Sequence, residues 1–194
     1  MGLKQGGDGW ELRFMGKSGQ PHQARIHHAG GNALISELQE LPGQHLFRYE
    51  DEAGAWHDIG TSDVNEWLKE TGGGDFSAKQ FRTWQATVRC ARELAKEPPG
   101  ETKTGRKRAE MTAIRTTAEK FRHTPATCRK YYVHPEVLRA YRSGRLHKIM
   151  HRRPPKFSAL DPAAKLRADE RRVLWLLEHP EKKSKRGDVH DQRL

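Results

Sequence analysis

His123-Thr-Pro-Ala-Thr-Cys-Arg-Lys-Tyr-Tyr-Val-His-Pro135 is the stretch on which the reading of this chain turns. Thr124 followed by Pro125 marks a helix start. A hydroxyl can cap the first free amide groups, and a proline in the first turn loses no hydrogen bond there. The helix predicted from this point ends near Val133. Pro135 opens the next one, which carries Val137, Leu138 and Tyr141 and closes at Gly144. His123 therefore stands just before a short helix and Tyr132 at its end, nine residues on.

Upstream, Ser77-Ala-Lys-Gln80 has the form of a capping box. It opens a helix with Phe81, Trp84, Val88, Ala91 and Leu94 on one face, ended by Pro98-Pro-Gly100. Residues 97–108 read as a polar, basic linker, and 108–121 as a further helix. Nearer the N-terminus, residues 10–15 and 22–27 alternate apolar and polar, the period of a strand, around the turn Gly16-Lys-Ser-Gly-Gln20. This predicts a hairpin over 10–27 with Lys17 at its tip. A helix over 32–41 stops at Pro42-Gly43, His45–Tyr49 makes a short strand, and Ser62 caps a helix through Val64, Trp67 and Leu68. Beyond Gly144, Arg145–Phe157 is basic and broken by Pro154-Pro155. Leu166, Val173, Leu174 and Leu177 predict one short amphipathic helix, and the charged residues from Glu181 a disordered tail. The expected class is α+β, mainly α: a small N-terminal hairpin or sheet, then a helical body over 31–144.

Composition narrows the partners. Lys+Arg number 36 against 25 Asp+Glu, a net charge of +11 in 194 residues, which favours a polyanion and above all nucleic acid. Hydrophobic residues make up 34%, low enough that part of the chain is expected to be flexible. Cys90 and Cys128 are too few for a disulfide framework and fit a reducing compartment. No apolar run approaches the length of a membrane span, and the first residues lack a signal-peptide core. Gly16-Lys17-Ser18 shares letters with a nucleotide-binding P-loop, but the preceding glycine at the required spacing is missing, so nucleotide binding is rejected.

Four side chains have the chemistry to act on a phosphodiester. A free tyrosine titrates near pH 10, so only about a thousandth is ionised at neutral pH. Tyr132 as a nucleophile therefore needs cationic donors around the phosphate it attacks, and Arg129, Lys130 and His134 lie beside it. Tyr131 is a competitor; adjacent residues on a helix point in different directions, so one of the two faces the site. Arg82 shares a helix face with Lys79, and its guanidinium can grip two phosphate oxygens at once. His123, ahead of a helix, is placed as a hydrogen-bond donor to phosphate. Lys17, at a hairpin tip, has the reach of a proton donor.

The strings around these residues resemble, in order, the catalytic domain of type IB DNA topoisomerases of the bacterial and poxvirus-like kind. They are Phe14-Met-Gly-Lys-Ser-Gly19, Leu41-Pro-Gly-Gln-His-Leu-Phe-Arg-Tyr49, Ser62-Asp-Val-Asn-Glu-Trp-Leu68, Ala78-Lys-Gln-Phe-Arg-Thr-Trp84, and the His123–Tyr132 spacing with its Val-His-Pro sequel. The likeness runs from about Trp10 to Tyr141. It implies Tyr132 rather than Tyr131 as nucleophile, Arg82 and His123 on the phosphate, and Lys17 as general acid. Lys79, Arg129, Lys130 and Ser18 would face the DNA. It also implies a double-stranded DNA partner, a monomer on that DNA, no metal, no small-molecule cofactor, no membrane, and a place in the bacterial cytoplasm at the nucleoid. On this reading residues 1–150 form a partial catalytic domain and 151–194 a basic extension. Tyrosine recombinases, the related enzymes, carry His-x-x-Arg where this chain has Lys79-Gln-Phe-Arg82. The family also has an arginine ahead of the hairpin. Nothing here matches it, since Arg13 and Arg25 lie within the hairpin strands. The expectation is an N-terminally truncated form with impaired activity. The alternatives are a non-catalytic DNA-binding remnant and, behind it, a site-specific recombinase.

Overall fold

Strand pairing organises the first part of the molecule. In the computed structural model, which describes residues 2–6, 9–16, 19, 21–158 and 160–181, β1 (Gly2–Gly6), β2 (Gly9–Met15) and β3 (Pro21–Ile26) form an antiparallel sheet in the order β1-β2-β3. The predicted hairpin is present, with Trp10 opposite Ile26 and Met15 opposite Pro21. Nothing in the sequence marks β1, whose one large apolar residue is Leu3. It forms because β2 offers it a free edge, and it sets Leu3 opposite Leu12. Lys17 and Ser18, at the predicted tip, lie outside the described residues, as do residues 182–194 of the predicted tail.

Helix α1 (Ala29–Glu40) lies against this sheet. Trp10, Leu12, Ile35 and Leu46 are buried together, and Trp10 is tied to α1 through its indole N–H to Ser36 Oγ (3.2 Å). After α1, Arg48 is buried at 8% exposure, and its guanidinium donates to the carbonyls of Pro42 and His45. Gly43, at φ +112°, lies directly under that guanidinium, and a side chain there would strike it. The predicted strand over His45–Tyr49 is narrower, β4 (Arg48–Glu50), paired with β5 (Trp56–Asp58). Helix α2 (Thr61–Gly72) has Gly60 rather than Ser62 as its N-cap, and the Asp63 carboxylate accepts the Gly60 N–H there (2.6 Å). The first compact unit ends at Gly74.

The second unit, from Asp75, is helical. Helix α3 (Ala78–Ala95) opens as predicted at Ser77, whose N–H donates to Gln80 Oε1 (2.6 Å). Helix α4 (Lys103–Phe121) begins well before residue 108, so only the first half of the expected linker is a connection. The Thr102 hydroxyl accepts from the Gly105 N–H (3.0 Å) and starts α4 ahead of its first apolar residue. Then come α5 (Pro125–Tyr131), α6 (Pro135–Arg142), α7 (Arg145–Met150), a 3-10 turn (Pro162–Lys165) and α8 (Ala168–Glu178).

Eighteen residues from α3 through α8 form one core, with Ile114, Val137, Leu146, Val173 and Leu176 fully enclosed. Helix α8, in the expected extension, therefore completes the same core as α3. Two carboxylates are enclosed beside it. Glu110 takes a two-pronged ion pair from Arg142 (2.6 and 2.7 Å), and Glu136 meets Arg139 (2.8 Å) and the Glu181 N–H (3.3 Å). Each is thereby satisfied, as a buried charge must be. Among the described residues no helix is long and apolar enough to cross a membrane.

Candidate active site

Three elements of the second unit converge on one aromatic pair. Helix α4 ends at Arg122, a non-glycine residue in the left-handed region (φ 54°) whose N–H caps the helix. That reversal delivers His123, whose own N–H bonds the Ala118 carbonyl (2.9 Å). Thr124 then caps α5, accepting from the Thr127 N–H (3.2 Å), with Pro125 in the first turn as expected. At the far end of α5, Tyr132 is the C-cap residue, and its N–H bonds the Cys128 carbonyl (3.0 Å). One short helix thus brings the two rings back together. His123 and Tyr132 stack with centroids 4.4 Å apart and planes 5° from parallel.

The electrostatics of the pair follow from its position. Partial burial, and next the charge of Arg82, hold the His123 imidazole below its ordinary value of 6.5. The neutral form of the ring is thereby favoured. Its Nε2 is enclosed and has no hydrogen-bond partner among the described residues, an arrangement that is costly unless something else meets it. Arg82 itself is exposed near the start of α3, free to turn toward an anion. The two tyrosines divide as adjacent residues must. Tyr131 is 52% exposed with the Lys130 ammonium 5.1 Å from its ring centre, whereas Tyr132 is half-buried on His123.

The remaining predicted residues take lesser places. Lys79, Arg129 and Lys130 are exposed, Lys79 one turn before Arg82 on α3 and the other two in the last turn of α5. Arg129, Lys130 and Arg139 border a groove of about 250 Å³ floored by Val133 and Leu138. His134 does not join the cationic field expected of it. Its Nδ1 accepts the Glu136 N–H (3.2 Å) and caps α6. Lys17 and Ser18 belong to the first unit and fall outside the described residues. One residue was missed in the sequence, Thr87. It is 2% exposed, donates to the Tyr132 carbonyl (3.0 Å) and accepts the His134 N–H (3.1 Å). A polar residue on the apolar face of a predicted helix was the only sign of it.

A β-sheet unit followed by a helical unit holding a His–Tyr stack within reach of an arginine's charge is the setting in which the family likeness takes effect. Residues 2–153 match the family described as eukaryotic DNA topoisomerase I, catalytic core. The chain belongs to this family, the type IB topoisomerases. DNA topoisomerase 1B of Acanthamoeba polyphaga mimivirus is 30% identical over 148 residues, which is 73% of this chain and 44% of the viral protein. The chain thus spans less than half the length of that relative.

Proposed function

We propose that this chain carries out the strand cleavage and rejoining of a type IB DNA topoisomerase. The Tyr132 phenol attacks the scissile phosphate and gives up its proton to water. A bond forms from phosphorus to the tyrosine oxygen, and the bond from phosphorus to the 5′ oxygen breaks. Lys17 supplies the proton that the departing 5′ oxygen needs. Arg82 and His123 hold the other phosphate oxygens as charge builds on them, the kind of placed donor whose loss costs about a hundredfold or more. The freed 5′ end swivels, supercoils relax, and the reverse attack reseals the strand. Each bond broken is replaced by one of similar energy, so no nucleotide hydrolysis is required.

The observation that supports this most directly is the stacked pair: a neutral histidine with an enclosed, unmatched Nε2 against the face of Tyr132, next to Arg82. A phosphate oxygen is the partner that Nε2 lacks. Lys79, Arg129, Lys130 and Ser18 would contact the DNA backbone, with the chain acting as a monomer in the bacterial cytoplasm. A net charge of +11 fits binding that weakens steeply with salt and reads little sequence.

The test is a nicked suicide duplex on which religation is blocked, so that even slow attack accumulates. A covalent protein–DNA adduct is expected with EDTA present, lost in Tyr132→Phe and kept in Tyr131→Phe. Loss in Tyr131→Phe alone would reassign the nucleophile. If no adduct forms, even with an upstream segment bearing the family's additional arginine, the chain is a non-catalytic DNA binder.

A further inference from the structure

Of the six threonines inside the long helices α3 and α4, three show where such a hydroxyl can go. Thr83 donates to the Lys79 carbonyl (3.0 Å) and Thr117 to the Ala113 carbonyl (2.8 Å). Both bonds run back along the same helix to the residue four before, the usual outlet for a hydroxyl in that position. Thr87 does not take this outlet. Its oxygen reaches off α3 to a segment 45 residues later in the chain, where it serves as donor to the Tyr132 carbonyl and acceptor from the His134 N–H.

Those two groups flank the turn between α5 and α6. Tyr132 has left helical geometry (φ −122°, ψ −26°), so neither helix satisfies its carbonyl. Val133, the residue between, is buried at 5% exposure. Without the Thr87 hydroxyl, a carbonyl and an amide at the edge of the core lose their partner together, and the turn is driven to shift until water reaches them. Thr87 stands five residues past Arg82 on α3, about 7.5 Å further along the helix axis. One hydroxyl thus links the backbone of Tyr132 to the rigid element that also carries Arg82.

We propose that Thr87 is a positioning residue, whose hydroxyl pins the Tyr132–His134 turn to α3 and so sets the Tyr132 ring against His123 and toward Arg82. Its kinetic consequence rests on the reaction proposed above; its geometric consequence does not. Thr87→Val removes the oxygen at nearly constant volume, Thr87→Ser keeps it, and Thr87→Ala removes it without placing a methyl group against the carbonyl.

Three quantities are read on the whole chain: the single-turnover rate of adduct formation on the nicked duplex, the Kd for that duplex, and the ring-proton resonances of His123 without DNA. The Tyr132 ring, stacked on His123, displaces those resonances upfield. With Thr87→Val the cleavage rate should fall about tenfold to a hundredfold, the scale expected when reacting groups are misplaced by an ångström. The Kd should stay the same, and the His123 resonances should move toward those of an unstacked imidazole. Thr87→Ala should match valine, and serine should restore both readouts. Valine and alanine variants that keep the rate and the His123 resonances would overturn the proposal, as would a serine variant as impaired as valine. If the unaltered chain forms no adduct, it is the proposed reaction that fails. The His123 resonances then decide whether Thr87 holds the turn.

Discussion

The two units of this chain, 1–74 and 75–194, reach order by different means. The first encloses four large apolar residues, Trp10, Leu12, Ile35 and Leu46. It relies on ladders and polar ties: five described strands in two sheets, the indole bond to Ser36, and Arg48 folded into its own loop. The second encloses eighteen residues around α3 and adds two satisfied carboxylates. Apolar burial stabilises in proportion to area, at roughly 25 cal/mol per Å², so the second unit has far more to hold it. The stacked His123–Tyr132 pair lies in that unit. Lys17 belongs to the first, by its place in the sequence. The unit with the larger core thus carries the rings, and the unit with the smaller core contains the proposed proton donor.

The same substitution made in both units breaks this comparison most directly. Ile35 and Ile114 are 2% and 0% exposed, and replacing an enclosed isoleucine by alanine costs about 2–5 kcal/mol. In Ile35→Ala that loss should strip hydrogen-exchange protection from β2 and α1 while α3–α6 keep theirs. In Ile114→Ala the second unit should unfold at lower urea but remain folded without it. Equal loss of protection across both units in either variant would mean they fold as one.

A smaller effect sharpens the account of the second unit itself. Thr124 caps the helix between the two rings, and removing such a hydroxyl costs about 1 kcal/mol. Thr124→Ala should lower the unfolding free energy of the second unit by that amount and broaden the His123 signals, leaving the first unit's exchange unchanged.

The smallest effect is electrostatic. His123 should titrate below 6.5 by nuclear magnetic resonance. Arg82→Ala should raise the midpoint only part of the way back, because desolvation is the larger cause. The sign for stability follows from linkage. The folded state binds this proton less readily than the unfolded one, so the contribution is complete above about pH 6.5. It is lost as pH falls toward the lowered folded value. A midpoint at or above 6.5 in the unaltered chain would remove the neutral, desolvated imidazole from the account.

What the sequence disclosed and what it concealed follows from how each feature is encoded. Ser77 with Gln80, Thr124 with Pro125, and Pro135 announce their helices because capping is local chemistry, settled within one turn. Strand β1 has no such signature. Gly2-Leu-Lys-Gln-Gly6 offers no alternation and becomes a strand only through its partner. The start of α4 was read late because Lys103–Lys107 is polar and hides the apolar period, while the cap at Thr102 decides. In the candidate site, the nine-residue interval from His123 to Tyr132 was visible, but not that it folds into a face-to-face stack. That depends on Arg122 reversing the chain at positive φ. Thr87 was the least legible, since its partners are 45 and 47 residues away and both are backbone groups, which carry no letter.

The last described helix, α8, also sets a schedule for the chain as it is made. Gln85 on α3 and Glu170 on α8 meet through a hydrogen bond across 85 residues of sequence. A ribosome adding about 5–20 residues per second needs roughly four to seventeen seconds to cover that interval. Throughout it, the part of α3 that α8 will cover has been synthesised and its covering helix has not. The part of α3 around Gln85 and Arg92 must therefore wait in the nascent chain for a helix that lies beyond the family's matched region.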